Sequence, residues 1–352
     1  MINFTVGPVQ SFETTKEIGG ENVPYFRTPE FSQIVKESES RFLRLLHAPS
    51  NSRAVFITGS GSAGMEAAVS NVLNSQDKVL IINGGPFGQR FVDLCRIFKI
   101  PYEEIQLSPG EKLTAEKLRP YASRDFTALL VNLHETSTGV LYAPVLLGDF
   151  ARENNLLLIV DAISAFMVDR FDMSQMGADV VITGSQKALA CPPGVALIAL
   201  SEQAQKRVAE NQPTTLYFDL KDALKNAERG QTPFTPAVSV IIQLHDRLGR
   251  ILDEGEDAEF ARIARLAENF RKGVQDLPIQ FLAESMSNGV TACLLQGYSA
   301  KKLFEDMKNK YGIWICPNGG ELADKVFRIG HIGNITEEEN QYLIECLHKE
   351  LA

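Results

Sequence analysis

The chain has 352 residues, 44% of them hydrophobic, enough to bury a large core and long enough for one large unit joined to a smaller one. A net charge of -9 at pH 7, with bases and acids interspersed, offers no basic face to nucleic acid, and no apolar run approaches the roughly 20 residues that span a bilayer. The five cysteines, Cys95, Cys191, Cys293, Cys316 and Cys346, include no C-x-x-C pair and no histidine at zinc-ligand spacing, which argues against a metal centre and for free thiols in a reducing compartment.

Residues 1–30 are rich in Gly, Pro and Thr and read as an irregular arm. They lack the charged and apolar regions of a secretory signal, so a cytoplasmic location is expected. A helical stripe runs from about Phe31 to Leu46, followed by a short buried strand at 54–58, a glycine loop at 59–64 and a helix at 65–73. The pattern then alternates: strand 78–82, helix 87–98, strand 102–107, helix 114–121, strand 126–132, a polar loop at 134–139, helix 145–153 and a fully apolar strand at 156–160 that ends in Asp161. Two more apolar strands flank Lys187, one breaking at Gly184 and one running from 195 to 200. Continuous Val, Ile and Leu runs separated by helices predict an α/β fold with a mostly parallel sheet covered on both faces.

Beyond residue 200 the character changes. A helix at 201–210 and an irregular crossing at 213–236 lead into two long helices at 238–253 and 257–277. Strands at 280–283, 290–295 and 326–329, with helices near 299–310 and 336–349, predict a smaller α+β unit. The expected division is residues 1–250 as the large unit and 251–352 as the small one.

Three strand-end features bear on chemistry. A lysine on a tight loop between buried strands must be paired, desolvated or covalently used, which singles out Lys187 over the solvated lysine that base rates favour. The G-x-G-x-x-G run at 59–64 follows a strand and opens a helix, the arrangement that binds phosphate. It admits an NAD-dependent dehydrogenase, but the next strand ends in Asn83-Gly-Gly without the ribose-binding acid. Ser60 and Ser62 instead suit a phosphate monoester. Asp161, at the end of a buried strand, serves equally well alone as a cap for the following turn, although strand-end carboxylates in open α/β sheets face the ligand crevice. A phosphorylated heterocycle with a ring nitrogen to hold and an aldehyde for a lysine satisfies all three, and pyridoxal 5'-phosphate is such a molecule.

Six ordered blocks carry a family resemblance: Thr58-Gly-Ser-Gly-Ser-Ala-Gly-Met-Glu-Ala-Ala68, Asn83-Gly-Gly-Pro-Phe-Gly-Gln-Arg90, His134-Glu-Thr-Ser-Thr-Gly139, Val160-Asp-Ala-Ile-Ser164, Gly184-Ser-Gln-Lys-Ala-Leu189 and Phe327-Arg-Ile-Gly330. They resemble the class V aminotransferases of fold type I. Within that class they are most similar to the alanine–glyoxylate and serine–pyruvate branch, with 2-aminoethylphosphonate–pyruvate aminotransferase close behind. The resemblance implies that Lys187 would form a Schiff base with the cofactor and carry the proton between substrate carbon and cofactor C4'. Asp161 would hold the pyridinium proton, Phe87 would stack on the ring and Thr136 would touch the phenolic oxygen or ring edge. Ser60, Gly61, Ser62 and Gln186 would hold the phosphate, with Thr235 reaching it from the other subunit of a homodimer. Arg328 would clamp the substrate carboxylate.

The activity so implied is ping-pong transfer of an amino group from alanine or serine to glyoxylate or pyruvate. The phosphonate reaction needs an additional anion site. Class V lyase or desulfurase chemistry wants a histidine where Gln186 stands, and a cysteine on a mobile glycine-rich loop. A sensor module without catalysis is disfavoured by the acidic balance. The chain departs from the family in having Phe87 at the stacking position, no histidine just before Arg27 and Thr232 where some members have tyrosine. These changes touch substrate and subunit contacts and leave the cofactor features intact.

Overall fold

Segments dense in Val, Ile, Leu and Ala, apolar on both faces with no side to give to water, build a seven-stranded sheet that the half-exposed, polar Tyr102–Gln106 closes at one edge. A computed structural model of the chain describes residues 1–351. The strand order is Arg53–Gly59, Gly194–Leu200, Val180–Gly184, Leu157–Asp161, Ala128–Asn132, Val79–Asn83 and Tyr102–Gln106. Successive residues alternate between two cores. Leu80, Ile82, Leu129, Val131, Leu158 and Val160 face one, while Val79, Ile81, Ala128, Leu130, Leu157 and Ile159 face the other.

The sheet is mostly parallel, as expected, and one strand breaks the pattern for a local reason. Gly194–Leu200 runs antiparallel to both of its neighbours, and the other pairings are parallel. Residues 185–193, which join it to Val180–Gly184, are too few for a crossover and can only turn back. Lys187 therefore sits in the connection of an antiparallel pair, second and third in the strand order of a covered sheet.

A second, four-stranded antiparallel sheet is built in the order Ile279–Phe281, Val290–Leu295, Val326–Gly330 and Cys316–Pro317. Its core gathers side chains from the helices Glu256–Gly273, Ala300–Tyr311 and Glu337–Leu351, together with Phe4. The N-terminal strand Ile2–Asn3 pairs in parallel with Ile313–Trp314, so the arm is anchored at its start.

Two stretches expected to be irregular contain helices. Glu13–Gly20 ends in two glycines and is stabilised by tertiary packing, with Gln243 Nε2 donating to the Thr15 carbonyl at 2.7 Å. Leu220–Ala227 was obscured by flanking Pro and Thr, yet Leu220, Ala223 and Ala227 recur on one buried face and Asp219 caps the first turn. The polar stretch 134–139 is a buried hairpin, with His134–Glu135 paired to Val140–Leu141. No helix among the described residues is long and apolar enough to cross a membrane.

Candidate active site

The C-terminal ends of the parallel strands open into a cavity of about 310 Å³ lined by residues from both ends of the chain. Two larger hollows, of about 790 Å³ beside Asn269 and of about 440 Å³ beside His47, contain none of these strand-end groups. Lys187 is 9% exposed in the cavity wall, and its Nζ donates to the Val6 carbonyl at 2.6 Å. Burial, with the Arg328 charge second, pushes its pKa down to about 8. The loop is held around it: Ser185 Oγ donates to the Pro192 carbonyl at 2.7 Å, and the Ala190 amide donates to the Lys187 carbonyl at 2.8 Å.

Asp161 is 5% exposed and accepts one hydrogen bond, from the Ile163 amide at 2.8 Å. Burial pushes its pKa up to about 6. A carboxylate so placed, with little internal solvation, is suited to a protonated ring nitrogen.

The phosphate-binding feature differs from expectation by about one helical turn. The helix starts at Gly61 instead of 65, so the glycine-rich run is its first turn; the Ala63 and Gly64 amides donate to the Ser60 carbonyl, and the Gly61 and Ser62 amides precede the first such bond. Ser60 occupies the N-cap without making a side-chain capping bond, which leaves its hydroxyl available. A Cβ at Gly61 would lie 2.3 Å from Ile163 Cδ1, so any side chain there would have to displace Ile163. Arg90 Nη1 donates to Ser62 Oγ at 2.9 Å, and its guanidinium lies 4.9 Å from the centre of the Phe87 ring.

Phe87 and Thr136 also line the cavity. Thr136 Oγ1 donates to Ser164 Oγ at 2.7 Å, which in turn donates to the His134 carbonyl at 3.1 Å. Gln186 lines the cavity, and its side-chain oxygen has no partner in the protein. Arg328 stands opposite Cys316 in the small sheet. It donates to the Pro317 carbonyl at 2.7 Å, the Thr136 carbonyl at 3.3 Å and Cys316 Sγ at 3.2 Å, and its buried Nε is unpartnered. The guanidinium is thus oriented by neutral acceptors, with its charge available to an anion.

Thr235 lies outside this cavity, exposed on the surface beside Tyr217 and Phe234. His331 is core: it is fully buried, pairs with Thr291 Oγ1 at 2.8 Å and packs on Phe270. The sequence reading assigned no role to Val6, Gly7, Arg90, Ser164 or Cys316, all of which line the cavity. Arg90 had a usable signal, since it follows Phe87 by three residues and so shares its helix face. Cys316 does reach the cavity, but in a paired strand segment and not on a mobile loop.

The residues fit pyridoxal phosphate. A helix N-terminus with free hydroxyl and an adjacent guanidinium suits the phosphate, a buried carboxylate suits the ring nitrogen, and an amine brought toward neutrality suits the carbonyl.

The family model described as aminotransferase class-V matches residues 22–327. The chain is 29% identical over 321 residues to L-aspartate–glyoxylate aminotransferase of Paracoccus denitrificans, covering 88% of this chain and 81% of that protein. It is 27% identical over 356 residues to serine–glyoxylate aminotransferase of Arabidopsis thaliana, covering 98% and 88%. The crystal structure of pyridoxamine–pyruvate aminotransferase from Mesorhizobium loti superposes with a TM-score of 0.92 at 27% identity, over 99% of this chain and 91% of that one.

Proposed function

The chain belongs to the class V aminotransferases, with pyridoxal 5'-phosphate as cofactor, and from that premise we propose that it moves an amino group from alanine or serine to glyoxylate or pyruvate. The observation that carries this reading is the convergence of Lys187, Asp161, the N-terminus of Gly61–Val72 and Arg328 on one cavity of about 310 Å³. That volume has to serve both cofactor and amino acid, which favours a small substrate. Arg90, the further arginine of the wall, is directed at Ser62, which leaves no separate cation among the described residues of the wall for the second acidic group of aspartate or a phosphonate.

When bound, pyridoxal phosphate supplies a carbonyl to receive the amino group and an electron sink for the pair left on the substrate carbon. Ser60, Gly61, Ser62 and Gln186 would hold its phosphate, Phe87 and Ile163 would line the space for its ring and Asp161 would hold the ring nitrogen in its protonated form. Arg328 fixes the α-carboxylate and so directs the Cα–H bond toward Lys187. Lys187 Nζ, which burial disposes toward the neutral form, would take that proton. The oxo acid leaves before the second oxo acid enters by the same carboxylate clamp, which makes the reaction ping-pong.

A homodimer is part of the proposal. Leu216 is 82% exposed beside the stacked rings of Tyr217 and Phe234, an apolar patch next to Thr235 that suits a second copy carrying Thr235 toward this cavity. The unpaired cysteines support a cytoplasmic location.

The decisive experiment is reconstitution with pyridoxal phosphate followed by borohydride reduction. A visible absorption band that reduction abolishes, with the cofactor recovered on the peptide containing Lys187, supports the assignment; its absence overturns it. A donor screen with alanine, serine, aspartate and 2-aminoethylphosphonate against glyoxylate and pyruvate then tests the substrates.

A further inference from the structure

His134 is 2% exposed and lines the same cavity as Lys187 and Arg328. Its Nδ1 lies 3.0 Å from the Ser164 carbonyl oxygen. A carbonyl only accepts, so Nδ1 carries the proton and Nε2 is left as an acceptor. Nε2 is buried and has no partner in the protein. Burial, reinforced by the Lys187 and Arg328 charges, pushes the histidine pKa down to about 4, so the ring stays a neutral acceptor at ordinary pH.

A buried acceptor costs stability until something donates to it. The adjacent hydroxyls are already committed, Thr136 to Ser164 and Ser164 to the His134 carbonyl. The donors that enter with the ligands are few. A protonated ring nitrogen is taken by Asp161, the cofactor's phenolic proton would be shared with the nitrogen bound at its carbonyl carbon, phosphate and carboxylate groups only accept, and the substrate amine is drawn to the position of Lys187. What remains is a donor on the substrate side chain, and the methyl group of alanine has none.

We propose that His134 is a specificity-determining residue whose Nε2 accepts a hydrogen bond from the side-chain hydroxyl of the amino donor, selecting a serine-type donor over alanine. This rests on the transaminase reading above.

The test compares α-methyl-L-serine with 2-aminoisobutyrate, which differ by one hydroxyl and have no Cα proton to lose. Each is titrated into wild-type, His134→Phe and His134→Leu holoenzyme and followed by the cofactor absorption. In wild type, α-methyl-L-serine is expected to bind at least about tenfold more tightly, and the ratio to fall toward about one in both variants. The ratio of kcat/KM for serine to that for alanine should fall with it. Should one variant fail to fold, the other reads the same ratio. Equal affinities in wild type, or a ratio that survives both substitutions, overturns the proposal. Parallel loss of both ligands with weakened pyridoxal phosphate binding also overturns it, making His134 a cofactor contact. The wild-type absorption band is recorded before ligand is added, so failure of the transaminase reading itself is seen separately.

Discussion

Lys187 Nζ donates to the carbonyl oxygen of Val6, 181 residues earlier in the chain, at 2.6 Å. The N-terminal segment is therefore a wall of the cavity, tied down beyond it by the pairing of Ile2–Asn3 with Ile313–Trp314. Gly7 makes this approach possible. It has φ +128°, and a Cβ there would lie 2.8 to 3.0 Å from Cδ, Nζ and Cε of Lys187.

Gly7→Ala should accordingly displace the lysine. We expect kcat to fall by about tenfold or more and pyridoxal phosphate to load more weakly, with a stability loss of about 1–3 kcal/mol from the backbone conformation. Absorbance titration and steady-state kinetics check this. Wild-type loading and turnover in the variant would show the contact to be incidental.

Asp161 and Lys187 give the cofactor-free protein a defined pH response. Folding raises the Asp161 pKa to about 6, so stability is lost as pH rises from the ordinary carboxylate value to that point, leaving a cost of about 3 kcal/mol at neutral pH. Folding lowers the Lys187 pKa to about 8, so below that value its charge also costs stability, which is regained as pH rises toward 10.5. Asp161→Asn should therefore stabilise the cofactor-free protein against urea at pH 7.5, with the advantage shrinking toward pH 4. The same variant should lose cofactor affinity. An Asp161→Asn variant whose advantage over wild type is no larger at pH 7.5 than at pH 4 would contradict the burial argument.

Lys187, Asp161 and Ser60 to Ser62 were legible because each interrupts an apolar run, and a polar group at the end of a buried strand faces the crevice whatever the rest of the chain does. Arg90 and His134 were harder. Both lie in stretches that read as solvated surface, a helix face and a polar loop, and only tertiary closure buries His134 and turns Arg90 toward Ser62. Val6 and Gly7 left no signal, because their role depends on a contact with a residue 181 positions further along the chain and their segment has no periodicity. The antiparallel strand Gly194–Leu200 was readable in principle from the shortness of residues 185–193.

Arg328 tests the carboxylate clamp. Its guanidinium is held by the Pro317 and Thr136 carbonyls, with no charge of opposite sign bound to it in these contacts. Arg328→Ala should raise KM for the oxo acid by the equivalent of roughly 2–3 kcal/mol. Arg328→Lys should recover little, since an ammonium cannot reproduce the planar fork. Initial-rate kinetics with pyruvate and glyoxylate decide it, and an unchanged KM removes Arg328 from the site.

Glu135 supports two walls of the cavity at once. It is fully buried, and one carboxylate oxygen accepts from the Phe87 and Gly88 amides, each at 3.2 Å, and from Asn132 Nδ2 at 3.0 Å. The other accepts from the amide and hydroxyl of Ser137. Every group around it is a donor, and two of them belong to the N-terminus of the helix Pro86–Phe98, where negative charge is favoured. In Glu135→Gln the side-chain amide must turn its NH₂ toward one set of these donors, breaking at least two bonds and leaving their N–H or O–H groups buried. We expect a loss of about 2–4 kcal/mol in urea unfolding of the cofactor-free protein. Phe87 and Thr136, which flank the cavity and share this anchor, should shift together, so pyridoxal phosphate should bind about tenfold more weakly by absorbance titration. Glu135→Asp keeps the charge but not the reach and should not restore either quantity. If Glu135→Gln unfolds within about 0.5 kcal/mol of wild type, the donors have found other partners and the carboxylate is dispensable.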